Sequence, residues 1–278
     1  MLIDLRHQRW IVATFLIAVL ALALYFSADA ATPGGFSSGS LLGMWYGIVG
    51  AGLMVYAGLL SALRRVPSWW WLGKRSVWLK GHIWLGLLSS VFLVCHSSFR
   101  WGGPLELALW IAVIVTLVTG VFGLAMQQVI PRLLTARFPA EAPYEQIPHL
   151  CDVLRHKADE EVAALLADPA ASEPLRQEVA LFHDKEMRPF LQRRYRRGAL
   201  ISRPLQMELF FANLRTLAPE PALRQRVDLL ETYCEERRQW GEIEGYYWLL
   251  HSWLLIHVPA SVLVLVLGVT HALTALYY

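Results

Sequence analysis

Apolar residues fall in blocks along this chain, and the blocks are long. Five stand out, at about 10–27, 41–63, 78–99, 105–127 and 247–276. Each nears or exceeds the roughly 20 apolar residues that a helix needs to cross a bilayer core. The pattern therefore predicts five transmembrane helices. The first block has a basic start and an "SADA" end that resembles a cleavage site. We read it as an uncleaved helix.

Residues 128–245 break the pattern. Prolines at 131, 139, 143 and 148 predict an irregular connection after the fourth block. Beyond it, "DEEVAALLAD" and "EPLRQEVALFHDKEMRPFLQRRYRR" space their apolar residues by three and four, as helices do. "PALRQRVDLLETYCEERRQWGEIEGYYW" reads as a helix running into the fifth block, with a break near Gly241 or Gly245. The expectation is an all-α polytopic membrane protein in four parts. These are an N-terminal transmembrane helix and outer loop (1–40), transmembrane helices two to four (41–127), a helical insert (128–245) and transmembrane helix five (246–278).

Composition agrees, with 56% hydrophobic residues and 12 Trp in 278 residues, against about 45–50% apolar in soluble domains. Charge then orients the spans. Arg6 and Arg9 precede the first helix, and Arg64, Arg65, Lys74, Arg75 and Lys80 surround the loop after the second, whereas "SADAATPGGFSSGS" has no basic residue. By the positive-inside rule the N-terminus and the insert are cytoplasmic and the C-terminus is outside the plasma (inner) membrane. Trp69, Trp70 and Trp71 fit an interfacial belt. The insert holds 17 Lys/Arg and 19 Asp/Glu, which leaves no nucleic-acid footprint. Cys95, Cys151 and Cys234 have no CxxC spacing, and no GxGxxG or P-loop is present. The insert is thus read as a docking or bracing domain, with His149, His156 and His183 as ordinary surface or capping residues.

Histidines supply the candidate chemistry. "HIWLGLLSSVFLVCH" (82–96) and "HVPASVLVLVLGVTH" (257–271) each begin and end in His, with a separation of 14 in both (96 − 82 and 271 − 257). Fourteen residues turn a helix by about 1400°, about 40° short of four turns, and advance it by about 21 Å. Each helix therefore carries two rings on nearly one face. The third and fifth helices run in the same direction, so His82 aligns with His257 and His96 with His271. Intramembrane ionisable groups are costly and mark function. A neutral imidazole bound to iron escapes that cost, because the metal uses its lone pair. Each pair is thus predicted to clamp one planar iron porphyrin: an inner haem b on His82/His257 and an outer one on His96/His271.

Further residues attach to this frame. Gly86, Gly120, Gly123 and Gly268 are candidates for letting porphyrin faces approach. Arg100 is placed for the outer haem's propionates, and Lys80, Arg75 and Arg64 for the inner haem's. Pro259 is expected to loosen the helix after His257. His251 lies six residues before His257, about 120° round the helix. With Trp78, Tyr246, Tyr247 and Trp248 it is a candidate for holding a quinone head.

At the four histidines the chain resembles the di-haem cytochrome b group, and it looks most like the ferric-reductase-like transmembrane domains. The resemblance covers roughly 41–127 and 247–276, not the insert. It implies electron transfer across the membrane, with His82, His96, His257 and His271 as ligands. The chain departs from those families in lacking a "PEWY"-type motif and a flavin or nicotinamide module. The leading expectation is a cytochrome b subunit working between a quinone pool and a redox partner. That partner is a periplasmic cytochrome c, another subunit or a cytoplasmic protein docked on the insert. Two rivals stay open: a stand-alone ferric-reductase-like or oxygen-reducing haem enzyme with a separate cytoplasmic donor, and a non-redox membrane anchor. Whether catalysis occurs on this chain, and which residues would carry it, is open at this stage.

Overall fold

A computed structural model describes residues 7–65, 74–138, 144–192, 201 and 203–277. Arg6, Trp69, Trp70, Trp71, Pro139 and Pro143 lie outside the described residues. Those described are helical throughout their regular structure: α1 (Gln8–Ala31), α2 (Leu41–Arg65), α3 (Arg75–His96), α4 (Pro104–Arg137), α5 (Ile147–Ala167), α6 (Glu173–Phe182), α7 (Arg188–Gln192), α8 (Pro204–Leu217), α9 (Pro221–Ser252) and α10 (Leu254–Tyr277). Five helices are long and apolar enough to cross a membrane, the last being the run formed by α9 and α10. These are the spans of an integral membrane protein. Their outward faces carry Phe15 (66% exposed), Leu20 (60%) and Val266 (57%), which suits contact with lipid tails.

The chain divides into two compact units, one of Met1–Gln128 with His251–Tyr278 and one of Val129–Leu250. In the first, α3 packs against α1 and α2, and α10 packs against α2. Ala21 and Tyr25 of α1, Phe36, Tyr46 of α2 and Cys95 of α3 form one core cluster. The Tyr46 hydroxyl donates to the Ala21 carbonyl at 2.6 Å and ties α2 to α1. A second cluster joins Ala112 and Val113 of α4 to Val264 of α10, with Met54 and Leu93 against it.

The second unit is built from α5–α9 around Leu154, Leu165, Leu175, Phe211, Leu223 and Leu230. Arg226 bonds Glu161 at 2.6 Å across it, and Arg215 bonds Asp228 at 2.7 Å. Arg237 is 2% exposed. Its guanidinium reaches Glu244 at 3.4 Å and lies over the Phe190 ring, which compensates the cost of burying a charge. His183 sits in a π-helical turn (His183–Met187), bonding Asp159 at 2.8 Å and Asp184 at 3.2 Å. Burial pushes the Cys151 thiol up, away from the reactive thiolate form.

Proline positions explain where the sequence reading and the structure differ. Pro131 does not end the fourth helix: it lies inside α4, which continues to Arg137. Pro148 opens α5 in its first turn, as Pro174 opens α6 and Pro204 opens α8. A first-turn proline costs nothing, since its missing N–H has no partner there in any case. Likewise, α9 runs through Gly241 and Gly245 without interruption, and the break falls at Trp253. The third helix ends at His96, before the expected 99, because Ser98 and Phe99 adopt positive φ (52° and 59°).

Candidate functional site: two facing histidine pairs

Helices α3 and α10 bring four histidines into two pairs. The His82 and His257 rings lie 6.2 Å apart between centroids, with planes at 75°. The His96 and His271 rings lie 6.3 Å apart, with planes at 80°. The separation is the same at both levels, although α3 and α10 are not among the closely packed helix pairs. An imidazole nitrogen sits about 2.0–2.1 Å from a bound metal. Adding about 1.15 Å from nitrogen to ring centre, the value for a five-membered ring with bonds near 1.35 Å, gives about 6.3–6.5 Å for imidazole–metal–imidazole. Both pairs fall at or just under this spacing.

The Nδ1 contacts settle which nitrogen carries the hydrogen. His82 Nδ1–H donates to the Ala57 carbonyl at 2.8 Å, and His96 Nδ1–H donates to the Gly43 carbonyl at 2.8 Å. His257 Nδ1–H donates to the Thr116 carbonyl at 3.1 Å, with Thr119 Oγ1 also at 3.1 Å. The Thr119 hydroxyl gives its own hydrogen to Val115 at 2.6 Å, so it accepts from His257. A carbonyl accepts only, and this assigns the Nδ1–H tautomer in all three rings. His271 Nδ1 lies 4.0 Å from Glu106 Oε1. His82, His96 and His257 are therefore held by their Nδ1 edges, and Nε2 keeps its lone pair in these three rings. That is how metal-bound histidines are oriented by their surroundings.

Small residues make room for two of the rings. A Cβ on Gly47 would lie 2.9 Å from His96 Cε1 and Nδ1, and one on Gly120 would lie 3.2 Å from His257 Cε1. Gly123 touches Trp253 instead, whose ring lies 5.0 Å from that of His257. Gly86 has only Ala57 Cβ nearby, at 3.9 Å, and Gly268 has nothing within 4 Å, so neither closes on a ring. Gly47 was not singled out by sequence. The stripe Gly43, Gly47, Gly50 on α2, at spacings of four and three, is the signal that points to it.

The remaining candidates are dispersed. Arg100 lies exposed on the turn after α3, its backbone N–H bonded to Ser97 at 3.0 Å. Lys80 is two residues from His82, about 200° round α3 and so on the other face. The side chains of Arg64 and Arg75 lie outside what is described. His251 occupies the last turn of α9, and the break at Trp253 separates it from His257. Trp78 stacks on Tyr56 (4.7 Å, 12°) and Tyr247 on Tyr144 (4.6 Å, 20°). Tyr246 accepts from Arg137 at 3.3 Å, and Trp248 is 66% exposed.

Among the described residues, no three His, Cys, Asp or Glu side chains gather around a common point. Each pair presents two imidazole rings. No protein family, characterised protein or solved structure matches the chain.

Proposed function

We propose that this chain is a di-haem b-type cytochrome that carries electrons across the membrane between a quinone pool and a redox partner. One observation carries the reading: two imidazole pairs with ring centroids 6.2 and 6.3 Å apart, three of the four rings bonded through Nδ1 so that Nε2 keeps its lone pair. A haem held by these histidines would supply reversible one-electron chemistry. The chain's own residues orient the ligands and exclude water. Ala57, Gly43 and Thr116 fix three rings by backbone carbonyls. Val264, 2% exposed and halfway in sequence between His257 and His271, clusters with Ala112 and Val113, and Leu93 and Met54 pack against that cluster. Apolar packing there keeps the dielectric low and sets the two centres apart as separate stations.

In this reading α2, α3, α4 and α10 form the haem-binding core. The N-terminus and the helical insert lie in the cytoplasm, so the His82–His257 pair is the inner centre. The expectation follows from the basic residues around the α2–α3 loop. Protease added to inverted vesicles is expected to cut the insert, and right-side-out vesicles are expected to protect it. The opposite pattern exchanges the labels inner and outer.

The decisive experiment is a reduced-minus-oxidised spectrum of the purified chain with its haem-to-protein ratio. Two low-spin b-type haems per chain are expected. A preparation that folds and binds no haem leaves the non-redox anchor as the reading. Added quinol is expected to reduce the haems, with His251→Ala slowing that step at unchanged haem content. Reduction by a soluble cytoplasmic donor but by no quinol transfers the assignment to a ferric-reductase-like enzyme.

A further inference from the structure

Three of the four histidines are held by neutral acceptors, and His271 is not. The facing group is the Glu106 carboxylate, with Oε1 at 4.0 Å from His271 Nδ1. Oε2 of the same carboxylate accepts the Gly103 N–H at 2.8 Å. The backbone is shaped for it: Gly102 adopts φ +34°, and a Cβ there would fall 1.1 Å from Glu106 Oε2. The sequence "GGPLE" thus bends the carboxylate back over the start of α4, pinning one oxygen and aiming the other at the ring. Acidic residues are scarce in this unit. Across 1–128 and 251–278 they are Asp4, Asp29 and Glu106. Asp4 lies outside the described residues, and Asp29 Oδ1 is taken by the Phe36 N–H at 2.6 Å.

We propose that Glu106 is a positioning residue that makes the His96–His271 centre the lower-potential one of the two. The proposal rests on the di-haem reading. At 4.0 Å the carboxylate is beyond hydrogen-bond reach of Nδ1, so it acts on the ring and the site through its charge. Its negative charge favours the oxidised iron, which carries one more positive charge than the reduced iron. Among the described residues, the acceptors on the His82 and His257 rings are neutral. Electrons that reach the His96–His271 centre therefore run downhill to the other.

The test is a redox titration of full-length wild type, Glu106→Gln and Glu106→Asp, followed by haem absorbance and by the ferric low-spin resonances. Two waves are expected in the wild type. Glu106→Gln raises the lower wave by at least a tenfold shift in its oxidised-to-reduced equilibrium, about 59 mV for one electron. It leaves the upper wave in place and both haems bound, and Glu106→Asp restores most of the shift. A lower wave unmoved in Glu106→Gln, or both waves moved equally, overturns the proposal while leaving the cytochrome standing. Loss of that haem in Glu106→Gln without restoration by Glu106→Asp also overturns it, and leaves Glu106 as a structural cap of α4. A wild type that binds no haem removes both readings.

Discussion

Replacing His257 with alanine is expected to lower the haem content from two per chain to one. His82→Ala should give the same product, with the same lost spectral component. The two rings face one another at 6.2 Å, so removing either leaves a single axial ligand at that level. His96→Ala and His271→Ala should both remove the other component, from the pair at 6.3 Å. The lesion is expected to stay local, because the apolar clusters around Val264 and around Tyr46 hold these helices together besides the histidines. The sharpest form of the test is pairwise. His82→Ala with His257→Ala is no worse than either alone, whereas His82→Ala with His271→Ala abolishes haem binding. Pyridine haemochrome assay against protein concentration measures it, and His251→Ala serves as the control that retains both haems. Two low-spin haems surviving in any single ligand variant would refute the ligand assignment.

The pairing was legible because it follows from one number. A separation of 14 on each helix puts two rings on one face, and parallel helices then leave one in-register alignment. The spans were legible for a similar reason, since apolar length is a global constraint that no single residue can mask. What the sequence hid were properties of backbone position. Pro131 and Pro148 look alike in a string, yet one is accommodated inside α4 and the other opens α5. Which outcome holds depends on the helix register, and composition does not reveal it. The acceptors for the ring N–H groups were hidden too, because two of them are carbonyls of α2, Gly43 and Ala57, that any residue type supplies. Glu106 has no mark in the sequence beyond its place in the first turn of α4, where the helix dipole already favours a carboxylate. Only the path of Gly102 and Gly103 shows that its second oxygen lies 4.0 Å from His271 Nδ1.

Gly123→Ala is expected to damage the His82–His257 centre although Gly123 touches neither ring. Its Cβ would lie 2.4 Å from both Cδ2 and Cε2 of Trp253, far inside van der Waals contact. Trp253 cannot yield freely. It sits at the break between α9 and α10, and its carbonyl accepts the N–H groups of Ile256 (3.2 Å) and His257 (3.0 Å), so it starts the helix that carries the ligand. Its ring lies 5.0 Å from that of His257. Either the indole swings toward the imidazole, or α4 and α10 move apart. Both responses strain the bonds from His257 to Thr116 and Thr119, which are 3.1 Å each and bridge the same two helices. Overpacking of this kind costs about 1–3 kcal/mol. Gly120→Ala should be milder, because its Cβ meets His257 Cε1 at 3.2 Å and a small ring shift relieves it. Gly52→Ala, with nothing within 4 Å, should leave the protein unchanged. The measurement is the low-spin haem content at each centre together with the thermal midpoint. The expected order of loss at the His82–His257 centre is Gly123→Ala, then Gly120→Ala, then Gly52→Ala, with the His96–His271 centre intact in all three. Combining Gly123→Ala with Trp253→Phe should recover part of the loss, since the smaller ring vacates the space. Full occupancy and unchanged spectra in Gly123→Ala would mean that Trp253 does not link α4 to the ligand helix.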